Sequence, residues 1–439
     1  MHKCDEGLKG GMKLLNQRDA EYAEFRPSLN RRAIPDTSVS EIVSGILSDV
    51  KERGDAALIE LTARFDKAEL TSESLLVSEA EIAEARASVS EATKAAIAST
   101  RDNIHLFTEQ SKRQDWSYTN KEGATVGERF TPFDRVGIYV PGGKAPLVST
   151  ALMTGAFAQA IGCPEIVAAT PCGPDGKVNP ELLYALVEAG ATQILKVGGA
   201  QGIAALGLGT ESVAPVEKIF GPGNIFVVEA KRQLVGAVSI DLIPGPSEIL
   251  VIADETGNPA FLAADLLGQA EHGPDSEIGF VTTSAELFTA VQAEIEKQLP
   301  ALSRGQYLKE VLESKCFALL VEDLSEAVAI CNDYAPEHLT LVVQAEEEIL
   351  PLIRNAGAIY VGNYSAVAVG DFLAGPSHTL PTGGAGKSFS GLRADQFQRR
   401  QSIVRMDRDA VANSLATVQE FSRIEGLDAH GESVAIRVR

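Results

Sequence analysis

Two short stretches of the chain pair an imidazole with an oxygen donor. Gln269-Ala-Glu-His272 ends an apolar helical run, and residues three apart share one helix face. An amide oxygen and an imidazole nitrogen suit zinc or a neighbouring transition metal, and a weak amide ligand leaves room for a substrate. Two donors are not a site, so the rest must come from distant residues such as Asp371, His378 or His430. His272 before Gly273 also reads as a plain helix C-terminus. Glu337-His338 follows Pro336 where a strand begins, so both side chains can reach one pocket. A carboxylate beside an imidazole supplies two proton carriers near neutral pH. The plainer reading is a loop histidine beside a solvated glutamate. Asp371 and His378 share VGDFLAGPSHTLPTGG, whose Gly and Pro content marks a shaped loop rather than core. The tail carries Glu425-Gly-Leu-Asp-Ala-His430; the other two of the six histidines are His2 and His105.

Three glycine-rich loops follow apolar strands: PGGKAPL (141–147), GGAQG (198–202) and GPGN (221–224). At the carboxyl ends of parallel strands such loops line a crevice, where helix N-termini offer N–H groups to anions. They read either as a nucleotide or dinucleotide site or as simple turns. GLGTES (207–212) and GGAGKS (383–388) fail as dinucleotide and P-loop motifs. Lys144 and Lys387 stay as candidate anion contacts. The five cysteines form no CxxC pair, so neither a disulfide framework nor a thiolate zinc site is expected. Cys163, among apolar neighbours, reads as a small core residue.

Positioning these groups takes a sizeable scaffold. The 439 residues are 45% hydrophobic and 23% charged, which is ordinary globular usage and excludes disorder for the bulk of the chain. A net charge of -21 repels phosphate backbones and anionic lipid, so nucleic acid and membrane are poor partners. Neither a secretory leader nor a membrane span is recognisable, and a cytoplasmic, reduced protein is expected. Residues 1–34 read as a helical arm needing a partner surface. Helical periodicity runs from Ser40 to about Gln114, with a capping box at Ser78-Glu-Ala-Glu81. From Val136 onward strands alternate with helices at short loop lengths, which predicts α/β architecture with parallel sheets. The expected units are 35–134 joined to 247–395, an inserted unit at 135–246, and a tail at 396–439 that is mostly helical and ends in a strand-like SVAIRVR.

Taken in order, RVGIYVPGGKAPLVSTALMTGAFAQAIGCPEI, VGGAQGIAALGLGTESV, KIFGPGNIFVVEAKRQ, PGPSEILVIAD, DLLGQAEHGPDS, NDYAPEHL, VGDFLAGPSHTLPTGG and EGLDAH resemble the histidinol dehydrogenase family over nearly the whole chain. The resemblance implies two incomplete Rossmann-like parallel-sheet domains with small N- and C-terminal helical dimerisation extensions. It implies oxidation of L-histidinol to L-histidine through L-histidinaldehyde with two NAD, the last step of histidine biosynthesis. One zinc per subunit would be held by Gln269, His272, Asp371 and His430. Glu337 and His338 would be the acid/base pair. Ser247, His378 and Glu425 would contact substrate beside the zinc ligands and His338. Tyr139, Gln201 and Asn224 would hold NAD. A homodimer would exchange tails to complete each site. Two other readings stay open: a dehydrogenase of the same fold acting on another polar alcohol such as a sulfonated diol, and a non-catalytic metal- or nucleotide-binding protein.

Overall fold

The computed structural model describes residues 12–32, 37–142, 146–243 and 245–439; Cys4, His2, Lys144 and the first third of the expected arm lie outside them. The described chain opens on a short strand, β1 (Leu14–Asn16), where a helical arm is expected. Five α-helices follow, Ala20–Phe25 within that arm and then Ser40–Arg53, Asp55–Phe65, Glu79–Ser88 and Glu91–Ser111. The predicted capping box is present: Ser78 Oγ accepts from Glu81 N and Glu81 Oε2 accepts from Ser78 N. Strands β2 (Trp116–Thr119) and β3 (Thr125–Pro132) form an antiparallel hairpin.

Next come β4 (Arg135–Tyr139), β5 (Glu165–Ala169), β6 (Gln193–Leu195), β7 (Lys218–Phe220) and β8 (Ser239–Ile240), all parallel in the order β6-β5-β4-β7-β8. Winding reverses at β4, so a crevice opens between the carboxyl ends of β4 and β7. Strands β9 (Glu248–Ala253), β10 (Glu277–Thr282), β11 (Cys316–Leu320), β12 (His338–Val342) and β13 (Ala358–Val361) repeat the plan around β9, with β1 added beyond β11. Both sheets are buried on two faces, which is why EILVIA and HLTLV run without polar alternation. They are the two incomplete Rossmann-like sheets expected. Strand β14 (Gln398–Arg405) leaves them and pairs antiparallel with β3.

Three expectations need correction. Val43, Leu47, Leu58 and Leu61 pack with Val167, Leu195 and Ile203. Ile97 and Ile104 pack with Ile138, Met153 and Phe157. The early helices therefore cover the β4–β8 sheet, not the β9–β13 sheet with which the 35–134 and 247–395 grouping placed them. An apolar helix stripe says that a face is covered, not which one. The β2–β3–β14 sheet was not anticipated, because β2 is exposed throughout and carries no buried alternation. The expected terminal strand is absent: its first three residues end the Asp428–Ala435 helix and 436–438 are turn, and that helix lies against the Arg408–Glu425 helix where Gly431 N donates to Ser422 Oγ at 3.1 Å. Among the described residues no helix is long and apolar enough to cross a membrane.

Candidate active site

The Leu324–Tyr334 helix ends at Ala335, a non-glycine residue with φ of 52°. Left-handed backbone is costly for a side chain with a Cβ and persists only where the surroundings demand it. Pro336 follows, and the turn delivers Glu337 and His338 to the start of β12, between β9 and β13. The pair thus sits at the amino edge of its sheet, whereas loops of doubly wound folds usually build sites at the carboxyl edge.

Glu337 is 7% exposed and His338 2%. Both are held by one residue. Glu248 N donates to Glu337 Oε2 at 2.8 Å, and His338 Nδ1 lies 2.9 Å from Glu248 O. A carbonyl oxygen only accepts, so Nδ1 carries a hydrogen and the lone pair of the neutral ring sits on Nε2. Nε2 is buried, has no hydrogen-bond partner and lies 3.5 Å from Asp371 Oδ1. Glu337 Oε2 is 3.6 Å from His338 Nδ1. Burial pushes the Glu337 carboxyl up to about 7, against the pull of His338. Burial opposes the charged imidazole of His338, but Glu337 and Asp371 outweigh it and raise the ring to about 9. At 3.6 Å the two groups titrate as a coupled pair.

Asp371 lies on the short Val367–Phe372 helix and is buried. Burial works against its charge, yet His338, His378 and His272 together hold it below the ordinary carboxylate value. Gln269 is buried at the end of the Pro259–Ala270 helix, which Asn258 caps through Ala260 N and Phe261 N; its Nε2 has no hydrogen-bond partner. His272 follows just beyond that helix, more exposed, and enclosing protein still lowers its pKa. His378 Nε2 is also buried without a partner, and burial lowers this ring too. Ser247 precedes β9, and its carbonyl accepts from Glu277 N at 3.0 Å. The loop carrying His378 is fastened to the other unit: Thr100 Oγ1 donates to Phe372 O at 2.7 Å, Asn103 Nδ2 to Leu373 O at 2.9 Å and Ser377 Oγ to Met153 O at 2.9 Å.

Glu337, His338, Asp371, His272 and His378 therefore share one electrostatic neighbourhood, with Gln269 three residues before His272. Glu425 and His430 do not join it within one chain. Both are exposed on tail helices that lean on the β2–β3 turn, where Asn413 Nδ2 donates to Glu122 O at 3.2 Å. Among the described residues, no three His, Cys, Asp or Glu side chains form a ready metal cage.

Tyr139, Gln201 and Asn224 stand at the carboxyl ends of β4, β6 and β7. Gly199 N donates to Tyr139 OH at 2.9 Å, and Asn224 Oδ1 accepts from Phe226 N and Val227 N to cap its helix. Gly221 has φ of 116°, and a Cβ there would run into Tyr139 O; one on Gly198 would meet Pro171 Cβ at 2.6 Å. These glycines let neighbouring loops pack on each other, which shapes the crevice from within. Lys387 is no anion contact, since its ammonium donates to Arg31 O at 2.6 Å and Asn30 Oδ1 at 2.9 Å.

Two structurally central residues escaped sequence reasoning, Glu248 and Arg31. The available signal was a glutamate opening an otherwise apolar buried strand. Another partly buried acid, Asp265, lies one turn before Gln269. Burial pushes its carboxyl from 3.8 up to about 6, against a hydrogen bond from the backbone of Val367. An acid raised in the folded state weakens folding as pH climbs from 3.8 through about 6, with the full penalty above. Asp265→Asn is expected to stabilise the protein by roughly 1–2 kcal/mol at about pH 7.5 and by almost nothing at about pH 4. Urea unfolding at both pH values measures this.

The histidinol dehydrogenase family profile matches residues 29–438. The histidinol dehydrogenase of Desulfotalea psychrophila is 42% identical over 94% of this chain and 95% of its own length. That of Syntrophotalea carbinolica is 43% identical over 98% and 99%. The crystal structure of histidinol dehydrogenase from Elizabethkingia anophelis superposes with a TM-score of 0.92 at 36% identity, covering 97% of this chain and 98% of that one. With a profile match over nearly its whole length, relatives above 40% identity and a shared fold, the chain belongs to the histidinol dehydrogenase family of oxidoreductases.

Proposed function

We propose that this chain oxidises L-histidinol to L-histidine through L-histidinaldehyde, passing one hydride to each of two NAD molecules in succession, as the last step of histidine biosynthesis in the cytoplasm. The observation that carries the reading is the buried Glu337–His338 pair, with His338 Nε2 3.5 Å from Asp371 Oδ1, in a chain of this family.

Zinc fits the residues present. Gln269 brings a buried side-chain amide, which ligates through its oxygen, three residues before His272, and Asp371 is kept as a carboxylate by the surrounding imidazoles. Gln269, His272 and Asp371 of one chain with His430 of a tail make the nitrogen and oxygen donor set that zinc takes. When bound, zinc would grip the imidazole and amine nitrogens of histidinol and so orient its alcohol carbon. Tyr139, Gln201 and Asn224 would hold NAD at the β4–β7 crevice, with the nicotinamide as hydride acceptor. The neutral ring of His338, the form that prevails above about pH 9, takes the alcohol proton at Nε2 as the first hydride departs. Glu337 then takes a proton from water as it adds to the aldehyde, and the hydrate releases the second hydride. Ser247, His378 and Glu425 contact substrate around these groups.

A homodimer with exchanged tails gives the exposed Glu425 and His430 a place. Phe421, Ile424, Leu427 and Ile436 are exposed on the tail, and Val369, Phe372 and Leu373 are exposed around Asp371. Apolar surface of this kind is what a partner subunit covers. The test is NADH absorbance with zinc-loaded protein, NAD and L-histidinol, against a metal-stripped control and a panel of other polar alcohols. Two NADH per histidinol and silence in the control are expected; preference for a sulfonated diol would overturn the substrate.

A further inference from the structure

The acid/base pair hangs on the backbone of a residue whose own side chain is gripped from the other end of the sequence. Glu248 donates its N–H to Glu337 and lends its carbonyl to His338. Its carboxylate, 2% exposed, is met by both ends of one guanidinium: Arg31 Nη1 reaches Oε1 at 2.8 Å and Nη2 reaches Oε2 at 3.0 Å. Gly383 N donates to the same Oε1 at 2.9 Å. Arg31 is itself held by further contacts at both of its terminal nitrogens and against one ring face. Its Cζ lies 3.6 Å over the Tyr334 ring, Nη2 donates to Tyr334 O, and Nη1 also meets Glu277 Oε2 at 2.5 Å. Tyr334 OH donates to that same Glu277 oxygen at 3.0 Å. Tyr334 ends the helix whose left-handed exit at Ala335 delivers Glu337. Lys387 pins the Arg31 carbonyl from the loop that follows His378.

We infer that Arg31 is a positioning residue for the acid/base pair: its planar fork orients Glu248, and the backbone of Glu248 orients Glu337 and His338. A guanidinium suits this task because two parallel hydrogen bonds define an angle as well as a distance, which a lysine ammonium cannot do. Arg31 touches neither substrate nor cofactor in this account. Its effect on rate rests on the reaction proposed above; its effect on the imidazole does not.

The test uses full-length Arg31→Ala and Arg31→Lys. Arg31→Ala should lower kcat about 10- to 100-fold, since small misplacement of reacting groups costs that much. KM for histidinol should stay within about threefold, because the contacts that bind substrate remain. Arg31→Lys should fall between, and dilute guanidinium chloride should restore part of the Arg31→Ala rate by refilling the cavity. A second readout needs no turnover: in protein labelled with nitrogen-15 histidine, the Nδ1–H signal of His338 should move in Arg31→Ala and return with guanidinium. If Arg31→Ala does not fold, Arg31→Lys carries both measurements. An unmoved His338 signal in a folded variant overturns the inference, whatever the rate does. If the wild-type protein leaves histidinol untouched, the proposed reaction fails, while the imidazole signal still decides the role of Arg31.

Discussion

Glu337→Gln is expected to slow oxidation of histidinaldehyde by about a thousandfold, in the range that removal of a general base produces. The amide fits the same space, and its oxygen can still accept the Glu248 N–H that anchors Glu337 Oε2 at 2.8 Å. What it cannot do is take a proton from water. Oxidation of the alcohol should also fall, by roughly tenfold, because Glu337 helps raise the basicity of His338 from 3.6 Å away. Assaying the two half-reactions separately, with histidinol and with histidinaldehyde, measures the asymmetry. Wild-type rates in both would remove Glu337 from the chemistry.

Much of this centre could be read from residue types. Glu337-His338 behind Pro336 and the Gln269–His272 spacing pointed to proton transfer and to metal donors, because those chemistries are local in sequence. Alternation of apolar strands with helices predicted parallel sheets for the same reason. What could not be read depends on the third dimension. The 40–111 helices have an apolar face, but nothing local says that it covers Ile138 and Leu195 rather than the β9–β13 sheet. The placement of Glu337 and His338 at an amino edge follows from the turn at Ala335, and alanine carries no warning of a positive φ. Lys387, a candidate anion contact by residue type alone, donates its ammonium to Arg31 O instead. The tail was not legible as structure: the pattern of SVAIRVR reads as a strand, yet its first three residues close a helix that lies against another, and turn follows.

The central claim is that one reaction centre draws on two chains, with the acid/base pair from one and the tail imidazole from the other. The exposed His430 and the buried cluster around Asp371 lie on separate parts of a single chain, so each variant below disables a different part. Glu337→Gln and His430→Ala chains, co-expressed with different affinity tags and purified through both, give dimers of one kind. With exchanged tails, one site in such a dimer carries both lesions and the other carries none. Each variant alone should convert histidinol to histidine at a few per cent of the wild-type rate or less, and the mixed dimer at about half of it. A mixed dimer no more active than its two parents would show that each chain builds its site alone, and would contradict the account.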